Sequence, residues 1–236
     1  MGRLSKPERY EAITQFPNVS IRKNYRDGDY SDLRGNWHSV FGNNQPITLE
    51  LACGKGDYAI GLAQKYPNRN YIGIDIKGDR IWKGATQALQ LDLKNVHFLR
   101  ARIDHLCNYF APGEVSEIWI TFPDPFLKSH RKRKRLTHPV FLKRYARVLK
   151  NGHSIHLKTD SERLYLFTCS VVHMYGLPVV NKINDIYRTE QLSEDLSIQT
   201  YYEKKHLEHG AVIRYLCFQL NEHIFQPVLP EIDDLD

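Results

Sequence analysis

The sequence contains little cysteine and no long hydrophobic run. Its four cysteines form no Cys-x-x-Cys pair, which argues against a zinc knuckle and against a disulfide framework. No stretch approaches the roughly 18 consecutive apolar residues that span a bilayer, and the N-terminus lacks the apolar core of a signal peptide. We therefore expect a cytoplasmic protein with reduced thiols and no membrane attachment.

Metal-ligand patterns and a disorder-prone composition are also lacking. The 11 histidines are scattered, and no two of them stand at a ligand spacing beside an acidic cluster, so we predict no metal site. Hydrophobic residues make up 42% of the chain and charged residues 25%, which is ordinary for a globular protein and excludes a disordered or fibrous one.

The length of 236 residues predicts one main domain with short appendages. Residues 1–46 are polar and interrupted by proline and glycine, and we interpret them as an N-terminal extension. A domain over residues 47–224 and an acidic tail over residues 225–236 complete the predicted organisation. Both a monomer and a homodimer are compatible with this pattern.

Apolar runs suited to strands alternate with segments of helical period from Ile47 onward, which predicts a parallel sheet wrapped by helices. The expected strands cover residues 47–52, 70–75, 96–100, 117–121, 154–158 and 211–220. Helices are expected to start at residues suited to a first turn or N-cap, namely Asp57, Asp79, Pro139 and Asp160.

The positive charge of the chain is concentrated in one segment. Lys and Arg exceed Asp and Glu by six, 33 against 27, and residues 128–135, here called the basic run, contain six cations and no acid. Such a concentration favours an anionic partner such as nucleic acid. A solvated loop or a targeting signal is the alternative interpretation of the same run.

The first predicted strand ends in a glycine-rich turn, with Glu50 before Gly54 and Gly56. The second ends in Asp75, where an acid can hydrogen-bond a ribose hydroxyl. Glycine allows a ligand to approach the backbone closely. Because ligands of open α/β sheets bind beyond the carboxyl ends of the strands, these four residues form a candidate cofactor site.

Two cofactor classes fit this turn. Gly54, Gly56 and Ala59 satisfy the dinucleotide pattern G-x-G-x-x-A, which leaves a nicotinamide dehydrogenase open. Glu50 argues against it, because a pyrophosphate needs no carboxylate nearby, whereas S-adenosylmethionine carries an ammonium, a sulfonium and a ribose. Cys53 is the only thiol in the turn, and its small size in a tight turn explains it better than a nucleophilic role does.

The fourth predicted strand runs into Phe122, Pro123, Asp124 and Pro125, here called the F-P-D-P loop, and then into the basic run. Two prolines restrict the backbone around Asp124 and hold this acid at the ligand-binding edge of the sheet. An aspartate that only stabilises a turn is the alternative, and the adjoining cations make it less suitable here.

At this point the sequence resembles the bacterial tRNA (guanine-N7-)-methyltransferases of the TrmB type. The resemblance covers about residues 47–220 and rests on LELACGKGDY, GIDIKGDRIW, the F-P-D-P loop with the basic run, LKTDSERLY and TYYEKK. It implies an α/β fold of class I S-adenosylmethionine-dependent methyltransferases, Rossmann-like, with a mostly parallel seven-stranded sheet and helices on both faces. It also implies methylation of tRNA at guanine(46) of the variable loop.

The resemblance carries over to individual positions. The residues that it assigns to the cofactor are Glu50, Gly54, Gly56, Asp75, Asp104 and Asp124. It also assigns Asp124 as the catalytic residue. The residues that it assigns to the tRNA substrate, together with the basic run, are Lys128, Arg131, Arg133, Arg135, Asp160, Thr200 and Glu203. After the third strand an ungapped alignment brings Arg102 to the family's acidic position, so Arg102, Ile103 and Asp104 are alternatives for the adenine contact, with Asp104 chosen.

The chemistry expected of such an enzyme needs few groups. Guanine N7 has a lone pair and no proton, so direct in-line attack on a sulfonium methyl needs alignment and no general base.

If all six cations of the basic run contact phosphates, the slope of the logarithm of the tRNA binding constant against the logarithm of the salt concentration reaches roughly −4. An RNA-binding module with this fold and no activity is the non-enzyme alternative, and the three acids Glu50, Asp75 and Asp124 argue against it.

Overall fold

The computed structural model describes residues 4–22, 31–229 and 232. The chain forms two compact units, residues 1–111 and residues 112–236. In the first unit the helices are α1 (Lys6–Ala12), α2 (Trp37–Phe41), α3 (Asp57–Lys65), α4 (Gly78–Gln90) and α5 (Leu106–Tyr109). Its strands are β1 (Val19–Ile21), β2 (Ile47–Leu51), β3 (Asn70–Asp75) and β4 (Val96–Arg100).

The strands of the first unit are all parallel and follow the order β1-β4-β3-β2. Every residue of β2 and β3 is buried. Strands covered on both faces read as continuous apolar runs, which is why the sequence predicted β3 and β4 with the bounds observed. Since these strands are parallel, their carboxyl ends meet at one edge, where the glycine-rich turn and Asp75 lie.

The predicted sheet had seven strands, and the described residues contain eight. Two of these strands are absent from the expected set, the strand over Val179–Ile183 in the second unit and β1. β1, three residues long, pairs with β4 so that Val19 lies opposite Phe98. It belongs to the segment interpreted as an extension. In the same segment the Trp37 side chain is fully buried, and its indole N–H donates to the Tyr109 carbonyl at 3.0 Å.

The second unit also contains four strands and has a mixed sheet. Its strands are β5 (Val115–Thr121), β6 (Ser154–Thr159), β7 (Val179–Ile183) and β8 (Arg214–Gln219). Its helices are α6 (Pro139–Val148), α7 (Glu162–Met174) and α8 (Tyr201–Leu207). β5 and β6 are parallel, and β8 lies antiparallel between β6 and β7.

Two of the predicted helix starts, Asp57 and Pro139, are the first residues of α3 and α6. At Pro139 the missing N–H costs nothing, because the first N–H groups of a helix have no partner within it. The other two starts differ by one or two residues. Before α7 the cap is Ser161, whose hydroxyl accepts the Leu164 N–H at 3.3 Å, and not Asp160. This leaves the Asp160 carboxylate available for other contacts.

The predicted terminal segments are covered only in part by the structure. Of the predicted acidic tail, residues 230, 231 and 233–236 lie outside the described residues, as do residues 1–3 and 23–30 of the predicted extension. Across the part of the chain that is described, no helix is long and apolar enough to cross a membrane. The same part contains no group of three or more His, Cys, Asp or Glu side chains arranged to hold a metal ion.

Candidate active site

Two buried acids lie at the carboxyl ends of neighbouring strands in the first unit. Glu50 lies on β2 opposite Gly73 of β3, and Asp75 is the last residue of β3. These residues are only 3% and 7% exposed. A carboxylate is rarely buried without a partner, so their contacts define what this edge of the sheet can bind.

Each of the two carboxylates accepts hydrogen bonds from the backbone. Glu50 Oε2 accepts the Ala59 N–H in the first turn of α3 at 2.8 Å. Asp75 Oδ2 accepts the Gly54 N–H at 2.9 Å, and its Oδ1 accepts the Lys77 N–H at 2.8 Å. A carboxylate offers about four lone-pair sites, so Asp75, with these two bonds, can accept further bonds from a ligand.

The two glycines of the turn have different reasons to be glycine. Both have a positive φ, 58° for Gly54 and 70° for Gly56. A Cβ on Gly56 would lie 2.4 Å from the Phe98 ring, so this position is fixed by packing. At Gly54 no atom lies within 4 Å of such a Cβ, so the backbone there faces open space that a ligand can enter.

Cys53, the thiol of this turn, is unsuited to nucleophilic attack. Burial raises the pKa of its thiol well above the usual range, and the nearby charges of Glu50 and Asp75 raise it further. The thiolate is the reactive form of cysteine. A protonated thiol that packs in a tight turn is therefore the interpretation that the structure supports.

Asp104, the third predicted acid of the cofactor site, has a different environment. The Ala101 N–H donates to the Asp75 carbonyl at 3.1 Å, which ties the residues after β4 to the end of β3. Asp104 then lies in a short 3-10 helix, Ile103–His105, and its Oδ2 is 3.3 Å from Arg102 Nη2. Its side chain is 41% exposed, so Asp104 is a partly exposed ion-pair partner, unlike the buried Glu50 and Asp75.

The donor set of the first unit fits S-adenosylmethionine. Two buried carboxylates suit a ligand with cationic groups and ribose hydroxyls, and the open backbone at Gly54 gives such a ligand room. Asp75 could bind a ribose in either cofactor, but the pyrophosphate of a dinucleotide would meet the buried negative charge of Glu50. The geometry thus favours S-adenosylmethionine over the dinucleotide that the sequence left open.

In the second unit, the F-P-D-P loop leaves β5 in a constrained conformation. Phe122 has φ 49° and Phe126 has φ 42°, a region that residues other than glycine rarely adopt. The Phe122 N–H donates to the Lys158 carbonyl of β6 at 2.8 Å. Asp124, which is exposed, accepts the Phe126 N–H at 3.1 Å through Oδ1. Backbone strain of this kind concentrates at functional sites, which supports a role for Asp124.

The basic run divides into exposed and buried cations. Its residues Ser129–Lys134 form a 3-10 helix. The exposed cations of the run are Lys128, Arg131, Arg133 and Lys134. Lys132 is only 4% exposed and Arg135 is fully buried, so four of the six cations are exposed to a partner in this structure. With four exposed cations the expected salt slope falls to roughly −3.

Asp160 lies beyond the end of β6 and meets a residue that the sequence did not single out. Its Oδ2 is 3.3 Å from Nδ1 of His206 in α8, and both side chains are partly exposed. The His206 ring is stacked on the Phe122 ring with centroids 6.1 Å apart and an angle of 8°. The structure thus brings Asp160 and the start of the F-P-D-P loop to the same helix.

Thr200 and Glu203 form a capping box at the start of α8. The Thr200 hydroxyl accepts the Glu203 N–H at 3.0 Å, and Glu203 Oε2 accepts the Thr200 N–H at 3.2 Å. Glu203 is fully buried, and its carboxylate is paired with Lys158, also fully buried. Burial lowers the pKa of Lys158 to about 8, although the Glu203 charge opposes this shift. In the described structure Glu203 is therefore a buried anchor of α8, which differs from the substrate contact that the resemblance implied.

The sequence matches known proteins over nearly its whole length. A family described as "Putative methyltransferase" matches residues 44–216. The tRNA (guanine-N(7)-)-methyltransferase of Porphyromonas gingivalis is 49% identical, over 96% of this chain and 91% of its own length. That of Christiangramia forsetii is 44% identical, over 93% of this chain and 100% of its own length. This chain belongs to the tRNA (guanine-N7-)-methyltransferase family. The resemblance drawn from its motifs is confirmed.

The fold of this tRNA (guanine-N7-)-methyltransferase family member matches solved methyltransferases. The 16S rRNA methyltransferase KamB aligns with a TM-score of 0.62 at 15% identity, covering 85% of this chain and 98% of that one. A 16S rRNA (adenine(1408)-N(1))-methyltransferase from Catenulisporales acidiphilia gives 0.57 at 15% identity, covering 81% and 95%. At such identity the likeness shows the fold alone, and it confirms the predicted class I methyltransferase architecture.

The sequence of this family member predicts neither Lys158 nor His206 as a site residue, and it predicts Arg135 only as a tRNA contact. Lys158 belongs to a buried strand, His206 follows Thr200 by six positions, and Arg135 is one cation among six. A buried lysine in an apolar strand is a usable signal, since lysine is almost never fully buried unless paired. His206 contacts Asp160, which is 46 residues away, and Arg135 is one of several similar cations in a run, so no local pattern identifies either role.

Proposed function

We propose that this chain transfers a methyl group from S-adenosylmethionine to N7 of a guanine in tRNA, at guanine(46) of the variable loop, in the cytoplasm. The observation that carries the proposal is the F-P-D-P loop, which holds an exposed Asp124 at the carboxyl end of β5 directly before four exposed cations. The near full-length similarity to tRNA (guanine-N(7)-)-methyltransferases supports the choice of substrate.

The first unit would hold the cofactor. Asp75, at the end of β3, would accept hydrogen bonds from ribose hydroxyls, and the negative charge of Glu50 would favour a cationic ligand. The backbone at Gly54 offers the open side of the turn. When bound, S-adenosylmethionine supplies an electrophilic methyl group on a sulfonium.

Asp124 would act on the guanine and not as a general base. Guanine N7 carries no proton, so no group has to remove one before attack, and the reaction depends on in-line alignment. The carboxylate of Asp124 can accept hydrogen bonds from the Watson–Crick edge of the base. Its negative charge then stabilises the positive charge that the guanine gains on methylation.

The tRNA would be held by positive charge and by residues around the start of α8. The exposed cations of the basic run suit phosphate contacts, which position a nucleic acid without reading its sequence. Asp160, which is partly exposed just beyond β6, is assigned to the substrate side, whereas Thr200 is only 5% exposed and positions the start of α8 beside it. Because the target base must be unstacked, Phe126 and the 51% exposed Tyr201 are candidate stacking platforms.

The deciding experiment is methyl transfer from labelled S-adenosylmethionine to unmodified tRNA, followed by nucleoside mapping. We expect 7-methylguanosine, and no signal from a transcript whose variable-loop guanine is replaced by adenine.

Asp124→Asn should lower kcat roughly 100-fold or more while changing cofactor affinity little, with the exposed Glu222→Gln as a control for the lost charge. Binding of tRNA and cofactor without transfer would instead indicate the inactive binding module.

A further inference from the structure

We propose that Arg135 is a positioning residue that holds the F-P-D-P loop from its buried side and does not contact phosphate. This inference deepens the proposed function and rests on it, because it explains how Asp124 is kept in place for catalysis. It separates Arg135 from the exposed cations of the basic run, with which the sequence alone groups it.

Arg135 is fully buried, so its guanidinium has no contact with solvent. Its Nε lies 3.1 Å from the Pro125 carbonyl oxygen, and its Nη2 lies 3.3 Å from the Phe126 carbonyl oxygen. Its Cζ lies 4.5 Å from the centroid of the Phe167 ring on α7. The planar group therefore donates to two successive carbonyls of the loop while it packs against an aromatic ring.

The loop needs such a donor because of its own sequence. Pro123 and Pro125 have no N–H, so these two residues contribute only carbonyl acceptors, and their backbone can be held only by donors from elsewhere. The Phe126 carbonyl accepts from Arg135, and the Phe126 N–H donates to Asp124 Oδ1 at 3.1 Å. Phe126, with a strained φ of 42°, thus links Arg135 to the carboxylate of Asp124 through one hydrogen bond on each side.

The backbone of Arg135 is also fixed on both sides. Its N–H donates to the Lys132 carbonyl at 2.9 Å, and its carbonyl accepts the His138 N–H at 2.9 Å. His138 is the N-cap of α6. To reach a phosphate, the side chain would have to give up its bonds to two loop carbonyls, which is unfavourable. Arginine suits these two carbonyl acceptors because its donors form a rigid planar fork, which lysine lacks.

The test compares Arg135→Lys and Arg135→Met with the same two substitutions at the exposed Arg133. Three quantities are measured on each variant: the salt slope of tRNA binding, the kcat and KM of methyl transfer, and the hydrogen exchange of the peptide that covers residues 122–128. Thermal unfolding of each variant identifies the folded ones. Arg135→Lys keeps the charge and most of the volume, so it retains a folded protein for the test if Arg135→Met does not.

We expect both Arg135 variants to lower kcat about 100-fold at saturating tRNA, since misplacing a catalytic group by about 1 Å costs this much. Their salt slope should equal that of the wild type, and exchange in residues 122–128 should be faster. Arg133→Met should instead make the salt slope shallower by about 0.7 to 0.9, the value for one phosphate contact, with unchanged exchange in the loop.

Two results would overturn the proposal. One is an Arg135→Lys variant with wild-type kcat and wild-type loop exchange, which would mean that charge alone matters. The other is an Arg135→Met variant whose salt slope falls as it does in Arg133→Met while the loop exchange stays unchanged. Absence of methyl transfer by the wild type would reject the proposed function, and the exchange and salt measurements would still decide the placement of Arg135.

Discussion

Lys158 Nζ lies 2.7 Å from Glu203 Oε1, and both side chains are fully buried. The same ammonium donates to the carbonyls of Leu196 and Ile198 at 2.8 and 3.0 Å. The Tyr187 hydroxyl donates to Glu203 Oε1 at 2.8 Å. This pair therefore joins β6, which leads into Asp160, to the segment that leads into Thr200 and α8.

Removing one partner of this pair should destabilise the protein strongly. Glu203→Ala leaves the Lys158 ammonium buried without this counter-charge, and we expect a loss of about 3–5 kcal/mol in the free energy of unfolding, measured in urea. The double variant Lys158→Met, Glu203→Leu removes both charges and should recover much of this loss. The exposed Glu208→Ala, just beyond the end of α8, is the control, with an expected change within about 0.5 kcal/mol. A Glu203→Ala variant as stable as this control would contradict the anchoring role.

Strand prediction worked where the strands are buried on both faces. β3 and β4 have the predicted bounds, because a short apolar run without polar alternation is typical of a strand that is covered on both sides. The strands β1 and β7 escape prediction, and their burial shows the reason. All five residues of β7 are exposed or half-buried, and β1 has only three residues, all half-buried, so neither forms the buried apolar run by which the other strands were recognised. Their places are set by the pairing partners β8 and β4.

The candidate site was predictable to the extent that it depends on strand ends. Glu50, Asp75 and Asp124 each lie at or just beyond the carboxyl end of a strand, a position that the sequence reveals once the strand is recognised. Whether a cation of the basic run is exposed depends on tertiary packing, and for this reason the sequence alone groups Arg135 with phosphate contacts. The contact between Asp160 and His206 spans 46 residues of sequence, a separation that no local pattern bridges.

Cofactor binding should depend on Asp75 more than on exposed acids of the same unit. Asp75→Asn removes the charge that favours ribose hydroxyl donors, and we expect the dissociation constant for S-adenosylmethionine to rise roughly 10-fold or more by titration calorimetry. The matched control is Asp92→Asn, which removes a charge from an exposed position with φ 52°, a conformation that Asn tolerates. Equal affinities of both variants would reject Asp75 as a ribose ligand.

The stability of the second unit should decline on the alkaline side because of His156. Its Nε2 is 3.0 Å from Glu117 Oε1, its Nδ1 is 2.7 Å from the Tyr215 hydroxyl, and its ring is stacked on Trp119 at 4.0 Å. Burial lowers the pKa of His156, but hydrogen bonds with Cys217 and Glu117 outweigh burial and raise the pKa to about 9. The folded state therefore binds this proton more tightly than an unfolded chain, in which the pKa is about 6.5.

The stabilisation from the His156 proton is complete below pH 6.5 and is lost as the pH rises through about 9. We expect urea unfolding at intervals from pH 6.5 to 9.5 to show a fall of up to about 3 kcal/mol from this group. The same hydrogen bond with His156 lowers the pKa of the Cys217 thiol, whose ionisation offsets part of the fall at the upper end of this range. His156→Gln should flatten the profile, whereas the exposed His153→Gln should leave it unchanged. A wild-type profile that is already flat would mean that His156 is neutral in the folded protein.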